Sequence, residues 1–152
     1  MEMIYHGSCY LKDKLMPGFE RASVLMRWDQ FESNKFLYAT IDREQAIAQA
    51  FVDAVDKRYP LSQIVIGSDE IALKFSDYKL PSKLELSALD VYVYHIPFDR
   101  EDLENPWIQN LTENGSNHEH KTEQIIRDFE VEKVNLEEWM HSKKLILESR
   151  KA

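Results

Sequence analysis

Cysteine, glycine and proline are scarce in this sequence of 152 residues, which has one, four and five of them respectively. The single cysteine, Cys9, can form neither an internal disulfide nor, by itself, a cysteine-rich metal site, and this is typical of a reducing compartment. So few glycines and prolines argue against a disordered or low-complexity chain. With 43% hydrophobic and 11% aromatic residues, the composition predicts one globular domain spanning residues 1–152.

Long hydrophobic runs are also missing. No stretch approaches the roughly 18 apolar residues that are needed to span a bilayer. The first residues lack the charged lead and the uninterrupted apolar core of a secretory signal. We therefore expect a cytoplasmic protein with no membrane partner.

Positive charge is in deficit, because 19 lysines and arginines face 27 aspartates and glutamates, which gives a net charge of −8. A field of this sign repels a phosphate backbone, so a nucleic acid would need a local basic patch. The densest basic cluster is interspersed with glutamates and is typical of the solvated face of a helix; it consists of Lys143, Lys144, Arg150 and Lys151. A nucleic-acid partner is therefore unsupported by the sequence.

The hydrophobic period changes from strand to helix in the first half of the chain. Short apolar runs predict three strands, at residues 3–5, 22–28 and 36–39. Beyond Thr40, apolar residues recur three and four positions apart, which predicts a helix over residues 41–59. Thr40 or Asp42 is expected to cap this helix, and Pro60 to end it.

The second half is predicted to consist mostly of strands. Two β-rich runs flank the turn-like sequence GSDE, which suggests a hairpin, and the run DVYVYHIPF at residues 90–98 is the clearest strand. The other expectations are a strand or a connection at 82–89, a polar loop at 99–118, a strand at 124–134 and a final helix from Asn135 to about Ser149. Strands with one helix among them and another at the end indicate an α+β fold.

Two strand ends carry residues suited to holding a ligand. After the first predicted strand come His6, Gly7 and Ser8, which offer a donor or acceptor ring, an open backbone and a hydroxyl. At the end of another predicted strand, Tyr38 can stack on a planar ligand. In the simpler interpretation, His6 and Gly7 turn the chain and Tyr38 is a core aromatic.

A third candidate segment is NHEHKTEQIIRDFEV, where the polar loop meets a late strand. Glu119 lies between His118 and His120, and Glu123 follows four residues later as a rival carboxylate. A metal site is an alternative interpretation, but two histidines and one carboxylate would still need a distant ligand such as His6 or His95. We expect no metal and interpret the histidines as solvated loop residues.

In this order, the segments YHGS, FLYATIDREQAIAQAF, VYVYHIPF and HEHKTEQIIRDFEV resemble the ADP-ribosyltransferase-like superfamily, in the branch of diphtheria toxin and the poly-ADP-ribose polymerases. There the first strand ends in His-Gly-Ser or His-Gly-Thr, a later strand ends in a tyrosine-containing element before a helix, and a late strand begins near a glutamate. More narrowly, the pattern is similar to that of small bacterial and phage proteins. The resemblance implies a split antiparallel sheet, with a helix after the Tyr38 strand and a C-terminal helix.

The resemblance also implies NAD as the substrate. His6 would hold the ribose on the adenosine side, the main chain of Gly7 would bond the nicotinamide amide, and Ser8 would support that pocket. Tyr38 would lie against the nicotinamide ring or brace the wall of its pocket. Glu119 would be the catalytic carboxylate, because breaking the nicotinamide–ribose bond develops an oxocarbenium-like charge that a carboxylate stabilises. The implied function is an ADP-ribosyltransferase or NAD glycohydrolase, whose protein or small-molecule acceptor the sequence does not identify.

Two alternatives stay open. Polymerase-type members carry a second tyrosine on the helix after the tyrosine strand, and here the nearest aromatic residue is Phe51. The same fold could therefore serve as a catalytically inactive module that binds a nucleotide, ADP-ribose or another protein. In an acidic structural domain, by contrast, His6, Tyr38 and Glu119 would lie far apart.

Overall fold

A computed structural model of the chain describes residues 2–18, 36–110 and 119–149. Within these ranges the elements follow one another as β1 (Glu2–Ser8), β2 (Leu37–Thr40), α1 (Arg43–Arg58), β3 (Leu61–Ile66), β4 (Glu70–Phe75), α2 (Lys83–Ser87), β5 (Tyr92–Phe98), β6 (Ile108–Asn110), β7 (Glu119–Thr122), β8 (Glu130–Lys133), α3 (Leu136–His141) and β9 (Lys144–Glu148). The predicted α+β class is confirmed.

The strands form two sheets. The first has six strands in the order β6-β7-β2-β1-β5-β8, and all of its neighbouring pairs are antiparallel. The second has three strands in the order β3-β4-β9, and β4 and β9 run parallel. The predicted strand at residues 22–28 lies outside the described ranges.

Helix α1 is where the sequence places it. Asp42 is the N-cap, and its side chain accepts a hydrogen bond from the backbone N–H of Glu44. Pro60 follows the C-cap residue Tyr59. The apolar side of α1 is buried against the second sheet and against Val91 and Val93 at the beginning of the β5 segment, so α1 joins the two sheets through one core.

A second core covers the opposite face of the first sheet. Its strand residues are Ile4, Leu37, Ala39, Tyr94, Ile96 and Phe98. Leu15 and Ile126 close this core from the loops, joined to each other by two backbone hydrogen bonds of 2.9 Å. The first sheet therefore has two distinct faces, called here the α1 face and the loop face.

Several predicted elements are wrong in kind or extent. Strand β1 continues through Ser8, because β5 offers it a seven-residue partner, so His6-Gly7-Ser8 lies within the strand and not after it. The segment 82–89 contains the short helix α2, begun by a capping box between Ser82 and Glu85. The polar segment 99–118 contains β6 in its described part, and of the predicted strand 124–134 only Glu130–Lys133 forms β8.

The C-terminal helix is also shorter than predicted. It ends at His141, and the next residues form β9 instead of continuing the helix to Ser149. Leu145 and Leu147 pack against the α1 core from β9, so pairing with β4 outweighs the helix propensity of this leucine- and lysine-rich segment. In the part of the chain that the structure describes, no helix is long and apolar enough to cross a membrane.

Candidate functional site

Strands β1 and β2 meet where two of the predicted site residues lie. Tyr5 of β1 is opposite Thr40 of β2. One residue further along β1, the His6 ring reaches across, and its Nδ1 lies 2.6 Å from the carbonyl oxygen of Tyr38. Because a carbonyl oxygen can only accept, Nδ1 carries the proton and donates it to this bond. The imidazole thus links β1 to β2 next to the pairing of Tyr5 with Thr40.

Glu119 begins the strand on the other side of β2. It is opposite Thr40, and Lys121 is opposite Tyr38. With neighbouring strands about 4.8 Å apart, β1 and β7 are separated by about 10 Å. The structure therefore brings the segments of His6, Tyr38 and Glu119 onto three consecutive strands, an arrangement called here the β1–β2–β7 junction.

The side chains of the junction are divided between the two faces of the sheet. Since side chains alternate along a strand, Tyr38 and Glu119 share the α1 face with Gly7. His6 and Ser8 share the loop face with Ile4, and the His6 ring lies 6.1 Å from the ring of the buried Tyr94. The structure thus brings the backbones together and separates the His6 ring from the Tyr38 and Glu119 side chains.

Ser8 has a local structural role at the end of β1. It is 2% exposed, and its Oγ accepts a hydrogen bond of 3.0 Å from the backbone N–H of Tyr10. A hydroxyl that accepts from the residue two positions later stabilises a turn. Ser8 therefore helps to end β1 and direct the chain into the following loop.

Gly7 lies directly beneath α1. An ideal Cβ added to Gly7 would lie 2.8 Å from the carbonyl carbon of Ala46 and 3.0 Å from Cβ of Ala50, and still closer to the carbonyl oxygen of Ala46. The absence of a side chain at Gly7 therefore allows the helix backbone to pack on the sheet. The α1 face above Gly7 is filled by protein.

The turn between β2 and α1 is held by a chain of hydrogen bonds that starts beside Glu119. Thr40 Oγ1 accepts from the backbone N–H of Asp42 at 3.1 Å, so its proton is available to Gln45 Oε1, which lies 3.1 Å away. Thr40 is 3% exposed. This buried network fixes the beginning of α1 relative to the junction.

An ion cluster on the α1 face lies between the junction and the edge strand β8. Arg43 donates two hydrogen bonds to Glu132, from Nε to Oε1 and from Nη2 to Oε2, both at 2.7 Å. His95 Nε2 lies 2.8 Å from Glu132 Oε1, and the His95 ring meets the ring of Tyr5 edge-on at 5.1 Å. The hydrogen bonds from Arg43 lower the pKa of Glu132 to about 2 and raise the pKa of Arg43.

Sequence reasoning missed this ion cluster. Arg43 and Glu132 are 89 positions apart, and neither belongs to a recognisable motif. The one signal was His95, a polar residue inside an otherwise apolar strand. Its partner Glu132 lies on β8, and only the folded structure shows that β8 pairs with β5.

Acid should lower the free energy of unfolding by protonating Glu132. The pKa of Glu132 in the folded state is about 2, against 4.5 ordinarily, so its stabilisation is complete above pH 4.5 and is lost as the pH falls towards 2. A shift of this size corresponds to about 3 kcal/mol, which solvent screening of so exposed a pair reduces to about 1 kcal/mol. Urea unfolding between pH 7 and pH 2.5 should show that this loss is absent in Glu132→Gln.

The neighbouring exposed residue Glu130 supplies the control for this measurement. Glu130→Gln should keep the acid-dependent loss of the wild type, since Glu130 is exposed on the same strand. Arg43→Met should reduce the loss without abolishing it, because His95 still lies 2.8 Å from Glu132 and also lowers the pKa of Glu132. An acid profile that stays unchanged in Glu132→Gln would contradict the assignment.

The residues that the structure describes do not assemble the alternative metal site. His120 points away from Glu119 onto the loop face, where its ring lies 5.0 Å from the ring of Phe98. His118 is outside the described ranges. Among the residues that are described, no group of three histidine, cysteine, aspartate or glutamate side chains could hold a metal ion.

Comparisons with known proteins add no further constraint. No family model, no curated protein and no solved structure matches this chain.

Proposed function

We propose that the protein binds NAD at the β1–β2–β7 junction and cleaves the bond between nicotinamide and ribose. One observation carries the proposal. The three segments that the sequence singles out, around His6, Tyr38 and Glu119, lie on consecutive strands, with Thr40 opposite both Tyr5 and Glu119.

Tyr38 and Glu119 are assigned the contacts with the reacting part of NAD. Both are half-buried on the α1 face, at diagonal positions of neighbouring strands. In the reaction, the electron pair of the carbon–nitrogen bond leaves with nicotinamide, and positive charge develops on the ribose carbon. A carboxylate at Glu119 stabilises that charge until an oxygen of water or of an acceptor bonds the carbon and loses its proton.

His6 is assigned a positioning role in place of direct ribose binding. Its ring lies on the loop face, and its Nδ1–H donates to the carbonyl oxygen of Tyr38. Through this bond it fixes the strand on which Tyr38 is presented. His6→Gln, which can still donate, should therefore retain more activity than His6→Leu.

Three measurements test the proposal. Isothermal titration calorimetry with NAD should show saturable binding, and proton NMR of the same mixture should show free nicotinamide accumulating with time. We expect binding to raise the temperature of unfolding, because a ligand that favours the folded state stabilises it. Absence of both NAD binding and nicotinamide release would overturn the proposal.

A second candidate function is binding of a nucleotide or ADP-ribose without reaction, by the same junction. The observation that favours it is the packing of the Ala46 carbonyl on Gly7, because α1 fills the space on the α1 face over the backbone assigned to nicotinamide. Such a module should bind ADP-ribose at least as tightly as NAD and release no nicotinamide. Tighter binding of NAD than of ADP-ribose, with turnover, would exclude it.

A further inference from the structure

A cavity of about 900 Å³ opens between the first turn of α1, the turn joining β3 to β4, the end of β8 and α3. This volume is in the range of sites that take small molecules. The cavity lies towards the β8 edge of the first sheet, whereas Tyr38 and Glu119 belong to β2 and β7. The cavity is therefore a different place on the molecule from the proposed NAD site.

One wall of this cavity is an indole ring held in a fixed orientation. Trp139 Nε1 donates to Glu44 Oε2 at 2.8 Å, and the ring packs 5.3 Å from the ring of Phe51, which is fully buried. These two contacts join α3 to α1 through the indole. The ring is therefore a rigid surface with an electron-rich face.

The charges that line the cavity are negative in excess. Arg43 is neutralised by Glu132, and Lys133 lies 3.3 Å from Asp90. The other charged residues of the lining are three carboxylates and one ammonium group, namely Asp42, Glu44, Glu138 and Lys143. A ligand that complements this lining is a cation.

The chain already places one cation against the indole. Lys143 Nζ lies 5.1 Å from the centre of the Trp139 ring and donates to the backbone carbonyl oxygen of Ser68 at 2.8 Å. An ammonium group at this distance is attracted by the ring face. Lys143 shows which kind of group the cavity accepts.

We propose that this cavity binds a guanidinium group, presented by an arginine side chain of a peptide. A guanidinium is planar and weakly hydrated, so it stacks on an indole more readily than an ammonium does. Its N–H groups can at the same time donate to the carboxylates of Glu44 and Glu138. Lys143 competes with the ligand for the same ring.

The probe is N-acetyl-arginine methylamide, with the neutral N-acetyl-citrulline methylamide as its matched control. The indole N–H resonance of Trp139, assigned by its disappearance in Trp139→Phe, should shift saturably with the arginine probe and stay in place with the citrulline probe. n-Butylguanidine, which has the same single charge without the peptide groups, should bind more weakly than the arginine probe. Equal shifts with the arginine and citrulline probes, or no saturable shift, would overturn the proposal, and tighter binding of n-butylguanidine would overturn its peptide source.

Two adjacent glutamates of α3 supply a control within the protein. Glu138 lines the cavity and Glu137 does not, and both are exposed. Glu138→Gln should weaken the arginine probe about threefold, the scale of one exposed ion pair, and Glu137→Gln should leave it unchanged. Lys143→Met should strengthen binding about threefold by removing the competing cation. Equal weakening by both glutamate substitutions, or weaker binding by Lys143→Met, would contradict the location.

Discussion

Gly7→Ala is expected to destabilise the protein by about 3 kcal/mol or more. The added Cβ would meet the backbone carbonyl of Ala46 well inside van der Waals contact, and it would lie 3.0 Å from Cβ of Ala50. A helix carbonyl cannot rotate away as a flexible side chain can, so α1 must move off the sheet. Because domains of this size are stable by only about 5–15 kcal/mol, urea unfolding should register a large fall in the midpoint.

Gly67 is the matched control for this substitution. An ideal Cβ there meets its nearest atom, the carbonyl oxygen of Glu70, at 3.9 Å, which is ordinary contact. Gly67→Ala should therefore change the free energy of unfolding by no more than about 0.5–1 kcal/mol. Ala50→Gly should fail to rescue Gly7→Ala, since the carbonyl of Ala46 still blocks the added methyl group. A Gly7→Ala protein of wild-type stability would contradict the packing of α1 on β1.

Glu119→Gln is expected to lower the rate of nicotinamide release by about 10²–10³-fold, with NAD binding changed by only a few-fold. Glutamine keeps the shape of the side chain and its accepting oxygen, but it loses the negative charge that stabilises the transition state. Progress curves at saturating NAD, with calorimetric binding of NAD to each variant, separate the two effects. This prediction depends on the proposed function.

Glu123 is the control, because it was the rival carboxylate in the sequence. It lies just beyond β7 and is exposed, whereas Glu119 is half-buried opposite Thr40. Glu123→Gln should retain the wild-type rate. A loss confined to Glu123→Gln would transfer the catalytic role to that residue, and unchanged rates in both variants would remove the carboxylate mechanism.

Strand periodicity predicts only part of the separation of the His6 side chain from the side chains of Tyr38 and Glu119. Alternation predicts that His6 and Ser8 share one face of a strand and that Gly7 occupies the other. This alternation does not predict which of the two faces α1 covers, because that depends on how β2 continues into the helix. The pairing of β1 with β5 and the position of α1 decided that Gly7 faces the helix.

The elements that the sequence placed well are those with strong local signals. The helix from Arg43 to Arg58, the hairpin around Gly67 and the strand Tyr92–Phe98 have caps, turn residues or β-branched runs of their own. Helix propensity misled in the C-terminal segment, where Lys144–Glu148 completes a sheet with partners about 70 residues earlier. Such long-range pairing outweighs local preference because it buries apolar side chains.

The sequence by itself determined the α+β class and placed α1 to within two residues at each end, because these depend on periodicity and capping within a few residues. The tertiary structure decided which strands are neighbours and which face each side chain occupies. It also formed the Arg43–Glu132–His95 cluster and the Trp139 cavity, whose members are distant along the chain. Their assembly depends on how the two sheets and α1 pack, and no local pattern in the sequence records that packing.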